Sequence, residues 1–164
     1  MISFEYMAKS EADELLPRLF ELLYENMNEI APSGLSEEEE LPGWLDAVGS
    51  AVQKEARQIV LIKDVEELVG YFQYFINDTT FMMEEIQFKR VYQGSGMFNE
   101  LYAFLYETIK TFPEGVEAYS HKDNLKSQGI LEHLGLSRIG ENKNGSCFHY
   151  RGSCETMWKR LGLR

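Results

Sequence analysis

An α/β fold with a mixed, mostly antiparallel sheet flanked by helices is the class this sequence predicts, and three observations predict it. β-Favouring runs recur at strand length, among them Ile59-Val60-Leu61-Ile62 and Phe81 to Phe88. Apolar residues recur at helical spacing between them, as in Leu15, Leu16, Leu19, Phe20, Leu22 and Leu23. Two glycines one residue apart, Gly94 and Gly96, stand where a strand pattern passes into a helix pattern. With 164 residues, 44% hydrophobic and 13% aromatic, the chain has the material for one well-buried core, so a single domain over residues 1–164 is expected.

Taken in order, Ile2, Phe4 and Tyr6 alternate as a first strand. Ser10 and Asp13 resemble a cap for a first helix whose apolar face runs from Leu15 to Met27 and which carries Pro17 in an early turn. Ala31-Pro32-Ser33-Gly34 ends that helix. Ser36 to Glu40 reads as a solvated acidic loop before Pro42, and Trp44, Leu45, Val48 and Val52 as a second helix. Arg57 to Lys63 is a strand too continuously apolar for a half-exposed edge. A turn at Lys63 to Glu67 leads into Leu68 to Ile76, and Asn77-Asp78 turns into Phe81 to Phe88, completing an antiparallel meander.

Beyond the glycines, Met97, Leu101, Phe104, Leu105 and Ile109 form a helix face, and Val116 to Tyr119 a strand with Tyr119 expected in the core. Asn124 opens another helix. Ser137 to Ile139 and Cys147 to Tyr150 pair through the turn Asn144-Gly145. Phe148 and Tyr150 on that last strand are expected to be exposed, which makes a homodimer an expectation as well.

A net charge of −11 speaks against a nucleic-acid surface, which needs clustered Lys and Arg. It favours a cationic partner such as a small amine or a basic peptide, or it serves solubility alone. Met1 to Ala8 is broken by Glu5 and followed by Lys9, Glu11, Asp13 and Glu14, and no apolar run approaches membrane-spanning length; a cytoplasmic protein away from membranes is expected. Cys147 and Cys154, with His149 between them, match no paired zinc knuckle and lack a second ligand pair, so neither a metal nor a disulfide is expected.

Chemistry concentrates in Glu84 to Phe98, a strand running into a glycine-turned helix start. Two closely spaced glycines let successive amide N–H groups converge, and the helix adds the positive end of its dipole, so an anion is expected there. On the strand, alternation places Glu84, Ile86 and Phe88 on one face and Glu85 and Gln87 on the other.

The register Gln93-Gly94-Ser95-Gly96-Met97-Phe98 resembles the signature of the GNAT superfamily of N-acetyltransferases: Gln or Arg, two free positions, Gly, one free position, then Gly or Ala. The preceding acidic pair and aliphatic alternation are similar to that family's strand, and Asn124 to Leu136 to its asparagine-led helix ending at a Leu-Gly junction. The resemblance covers about Leu68 to Tyr150. It implies acetyl-CoA as cosubstrate, with its pyrophosphate on Gln93, Gly94, Ser95, Gly96, Met97 and Phe98, and its pantetheine arm along the backbone of Ile86, Gln87 and Phe88. Asn124 is implied as a further cofactor contact and Glu84 as the base. Glu85 is expected to hold the acceptor's ammonium or to face solvent, and Trp44, from the helical pair that roofs the family's acceptor site, to help select the amine. Two positions depart from the pattern. Phe98 replaces a small residue, and Leu131 stands where many members carry a tyrosine that protonates the leaving thiolate. An amine N-acetyltransferase working by direct attack in a ternary complex is therefore expected, with a catalytically impaired acyl-CoA-binding or interaction module as the alternative.

Overall fold

Seven strands and five helices form in the computed structural model, which describes residues 1–54, 57–109 and 111–163. The strands are β1 (Ile2–Tyr6), β2 (Gln58–Asp64), β3 (Glu67–Ile76), β4 (Thr80–Phe88), β5 (Gly115–His121), β6 (Ser137–Glu141) and β7 (Cys147–Ser153). The helices are α1 (Ala12–Ile30), α2 (Glu37–Gln53), α3 (Met97–Thr108), α4 (Leu125–His133) and α5 (Cys154–Arg160). The strands follow the order β1-β2-β3-β4-β5-β7-β6 in one mixed sheet. Four of its pairings are antiparallel and β4 runs parallel to β5, so the expected mixed, mostly antiparallel architecture is the observed one. Among the described residues no helix is long and apolar enough to cross a membrane. By contact, the chain divides into two compact units, Met1–Tyr74 with Glu85–Gln93, and Phe75–Glu84 with Gly94–Arg164.

The first unit is built on β2, whose Ile59, Val60, Leu61 and Ile62 are all buried, as a strand covered on both faces requires. Leu15, Leu16, Leu19 and Leu22 of α1 pack with Val48 and Val52 of α2 and with Ile59, Leu61 and Tyr71 into one core cluster. The expected Ser10 cap does not start α1. A 3-10 turn at Lys9–Glu11 leads in, Glu11 occupies the N-cap position, and its Oε1 accepts the Ala8 N–H at 2.9 Å. Pro17 is the sixth residue of α1, so the helix forgoes one bond to the Asp13 carbonyl rather than placing the proline in its free first turn.

The acidic run is not a loop. Ser36 is the N-cap of α2, its Oγ accepting the Glu39 N–H at 3.2 Å while Glu39 Oε1 accepts the Ser36 N–H at 3.1 Å. This reciprocal box turns Glu37 to Glu40 into the first helical turn, where carboxylates meet the positive end of the dipole. Those bonds hold the Glu39 carboxyl below its usual range. Ser36→Ala is expected to cost about 1 kcal/mol, lowering the melting temperature by about 2–4 °C in a thermal scan.

Gly70 of β3 is required by close approach: a Cβ there would lie 2.5 Å from the Gln87 carbonyl oxygen and 2.8 Å from Phe88 Cδ1. One contact is backbone and cannot swing away. Gly70→Ala is expected to destabilise by about 2–3 kcal/mol, read as a lower urea midpoint at unchanged slope.

In the second unit β5 lies between β4 and β7, and Val116, Ala118, Phe81 and Tyr150 are buried on it. Trp158 anchors an aromatic cluster with Phe112 at 4.7 Å, Tyr106 at 5.3 Å and Tyr102 at 6.2 Å between ring centroids. It belongs to α5, an element the sequence pattern does not announce. Seven residues are too few to show helical periodicity, although Ser153 caps it by accepting the Thr156 N–H at 3.1 Å. Tyr150, expected to be exposed, is fully buried, and Phe148 is half-buried with the Arg138 guanidinium 3.5 Å from its ring centroid. β6 covers β7, so that strand is not an edge. Both cysteines are free; burial pushes the Cys154 thiol up to about 11.

Candidate active site

After β4 and a 3-10 turn at Arg90–Tyr92, the chain enters α3 through its two glycines. Gly94 and Gly96 adopt φ of +77° and +85°, the left-handed region that side chains resist. Gly96 is the N-cap of the twelve-residue α3. A Cβ added at either glycine would meet nothing within 4 Å, so the space over the turn is open. Ser95 is exposed, Met97 is buried, and Phe98 turns its ring along the helix onto Tyr102 at 4.5 Å between centroids. Tyr102 in turn donates its hydroxyl to Met83 Sδ at 3.1 Å.

On β4, Glu84, Glu85, Ile86 and Phe88 are half-buried and Gln87 is buried. Glu85 and Gln87 share a face, as alternation requires: Gln87 Nε2 donates to Glu85 Oε1 at 2.5 Å. Asn26 Nδ2 donates to Gln87 Oε1 at 2.8 Å and to the Phe88 carbonyl at 3.0 Å, and Gln93 Nε2 reaches the same carbonyl at 3.2 Å. Tyr71 is fully buried, and burial and the Glu85 charge together push its phenol well up. The neighbouring cations pair elsewhere, Lys89 with Glu67 at 2.7 Å and Arg90 with Glu29.

Trp44 packs against Phe20 at 5.3 Å between centroids and lines a groove of about 460 Å³ with Leu23, Tyr24, Met27 and Glu40. In the first turn of α2, burial and the charges of Glu21, Glu25 and Glu38 raise the Glu37 carboxyl. In the second unit Asn124 caps α4, its Oδ1 accepting the Ser127 N–H at 3.1 Å, and Leu131 is buried.

One further group is assembled only by strand pairing. Tyr119, expected in the core, is 45% exposed and stacks on His149, with ring centroids 4.3 Å apart and planes 13° apart. His149 is bonded at 2.6 Å to Glu117, a carboxylate buried in mid-strand. The signal was present: alternation along β5 sets Glu117 and Tyr119 on the face opposite Val116 and Ala118. Among the described residues no group of three or more His, Cys, Asp or Glu side chains is placed to hold a metal ion.

No protein-family model matches the chain, and no curated protein sequence does. Solved structures do. An acetyltransferase from Thermus thermophilus aligns with a TM-score of 0.71 at 14% identity over 93% of this chain and 97% of its own. An aminoglycoside acetyltransferase in complex with coenzyme A aligns at 0.66 and 15% identity over 98% of each chain. A spermidine N-acetyltransferase from Vibrio cholerae in complex with CoA and spermine aligns at 0.63 and 14% identity over 95% and 97%.

Proposed function

We propose, for a chain that has the GNAT fold of these acetyltransferases, that it transfers the acetyl group of acetyl-CoA to an amine by direct attack within a ternary complex. The observation that carries this is the glycine turn. Two left-handed glycines under open space, at the head of a twelve-residue helix, support this reading, because a helix N-terminus entered through such a turn attracts a phosphate. The backbone of Gly94, Ser95, Gly96 and Met97 holds the pyrophosphate, with Gln93 and Phe98 flanking it. Ile86, Gln87 and Phe88 offer backbone groups to the pantetheine arm, and Asn124 a further contact. When bound, acetyl-CoA supplies the acyl carbon and the leaving thiolate.

An attacking amine must shed a proton, and Glu84, half-buried on β4, accepts it. The acceptor is a small amine or basic peptide, in keeping with the charge of −11 and with the spermine and aminoglycoside named for two proteins of the same fold. Trp44 and Glu85 take part in binding it. The reading is tested by titrating the protein with acetyl-CoA in a calorimeter, then assaying release of free thiol with a panel of amines. Micromolar binding and turnover are the expected results; a folded sample that takes up no CoA species sinks the reading.

Leu131 favours a second reading. A buried leucine at the tyrosine position supplies no acid, which suits a module that binds acyl-CoA without turnover. A thiolate leaves with modest help, so the first reading stands ahead. Binding without release of thiol across the amine panel would reverse that order.

A further inference from the structure

We propose that His149 is the residue that strips the proton from the acceptor's ammonium, with Glu117 and Tyr119 as the positioning residues that set its ring. This rests on the acetyl-transfer reading above and adds a second proton acceptor to it.

The parallel register of β4 and β5 matches Met82 with Glu117, and the antiparallel register of β5 and β7 matches Tyr119 with His149 and Glu117 with Arg151. Partners in register share a sheet face, so Met82, Glu117, Tyr119, His149 and Arg151 stand together. Thr80, two residues before Met82, lies on that face, and its Oγ1 donates to Glu117 Oε2 at 3.1 Å. Two residues after Met82 comes Glu84. The alternation that brings Thr80 to Glu117 therefore puts Glu84 on the face of His149.

Glu117 is engaged at both oxygens. Oε1 meets His149 Nε2 at 2.6 Å, while Oε2 takes the Thr80 hydroxyl and lies 3.4 Å from Arg151 Nη2. Burial alone would push its carboxyl up, but the His149 and Thr80 hydrogen bonds and the Arg151 charge outweigh this and hold it below the usual range. An ionised carboxylate only accepts, so Nε2 must carry the hydrogen, and in the neutral ring the lone pair then lies on Nδ1. The Tyr119 ring fixes the imidazole plane. A histidine so anchored at one nitrogen presents the other for proton transfer. The groups beside it are Glu117 and Tyr119 from β5 and Arg151 from β7, Gly140 is its register partner on β6, and Glu84 of β4 shares its sheet face.

The proton count gives both acceptors a task. An alkylammonium loses two protons on its way to an amide, and one of them ends on the thiol. Nδ1 of His149 takes the first, which frees the nitrogen pair to form the C–N bond as the carbonyl pair moves to oxygen. The nitrogen, now cationic and far more acidic, gives its second proton to Glu84. The oxygen pair returns, the C–S bond breaks, and the thiolate collects that proton. Imidazoles are stronger bases than carboxylates by about two pKa units, which suits the harder first step to the histidine. His149, with 19% of its side chain exposed, returns its proton to solvent.

Two readouts test this. In ring-labelled protein at alkaline pH, nitrogen NMR is expected to show the His149 proton on Nε2, a preference that Glu117→Gln weakens. A proton on Nδ1 overturns the assignment whether or not any amine is acetylated. With acetyl-CoA and n-butylamine, spermine or glycinamide, His149→Gln is expected to lower kcat/KM at neutral pH by about 100-fold and to make the rate follow the free-amine fraction. Glu117→Gln, which keeps the imidazole, serves if His149→Gln melts early, and is expected to lower kcat with little change in KM. A His149→Gln enzyme with the parent's rate and pH profile overturns the proposal and leaves acetyl transfer standing. A parent that acetylates none of these amines removes both.

Discussion

Gly96→Glu abolishes acetyl-CoA binding if the glycine turn is the phosphate seat. At φ of +85° any L-residue with a side chain is strained, at a cost of roughly 1–2 kcal/mol. That alone weakens the fold locally. The larger effect is on the ligand, because the space a Cβ would enter is empty of protein atoms, so the glutamate occupies the volume the phosphate needs and sets a like charge there. Affinity is expected to fall by at least about 100-fold, or ~2.7 kcal/mol, in a calorimetric titration, while circular dichroism shows the fold retained. Gly96→Ala separates the two contributions: it carries the strain without the charge and is expected to keep most of the binding. Undiminished affinity in Gly96→Glu would remove the turn from the cofactor site.

Glu84→Gln is expected to do the reverse. The amide is nearly isosteric with the carboxylate and keeps the half-buried position on β4 occupied, so acetyl-CoA should bind as before. What is lost is the proton acceptor. A positioned base contributes typically 10²–10⁴-fold, so kcat is expected to fall by about 10²–10³-fold, or ~3–4 kcal/mol of transition-state stabilisation. A single-turnover assay separates this loss in the chemical step from any change in cosubstrate affinity. Equal rates for Glu84→Gln and the parent would take Glu84 out of the mechanism and leave His149 as the only base proposed.

Legibility followed pattern length. The strands β1 to β4 and the helices α1 and α3 are long enough for a period of 2 or 3.6, or in β2 a continuous apolar run, to declare itself, and their bounds fall within a few residues of those read from the chain. The start of α2 was misread because an acidic run was weighed by its charge, whereas Ser36 and Glu39 form a capping box that makes the same carboxylates a helical first turn. Helix α5 escaped because seven residues, three of them buried (Cys154, Met157 and Trp158), are too few to show a period. Tyr150 lies opposite the buried Ala118 of β5, and which face of a strand is covered depends on pairing and packing rather than on its own sequence.

The candidate site divides in the same way. Glycines at Gly94 and Gly96, an acidic pair at Glu84 and Glu85 and an asparagine at the head of α4 are local features. A turn, a strand face and a helix cap are decided by residues a few positions apart, so these were readable by themselves. The Glu117–His149–Tyr119 group was not. Its members lie on two strands joined only by antiparallel register, and the 2.6 Å bond links residues 32 positions apart. The sequence determined the fold class, the glycine turn and the alternation along β4, since each depends on local backbone geometry and side-chain period. Only the tertiary structure decided which carboxylate would anchor which histidine and which aromatic ring would be buried, because those depend on which strands pair and what covers them.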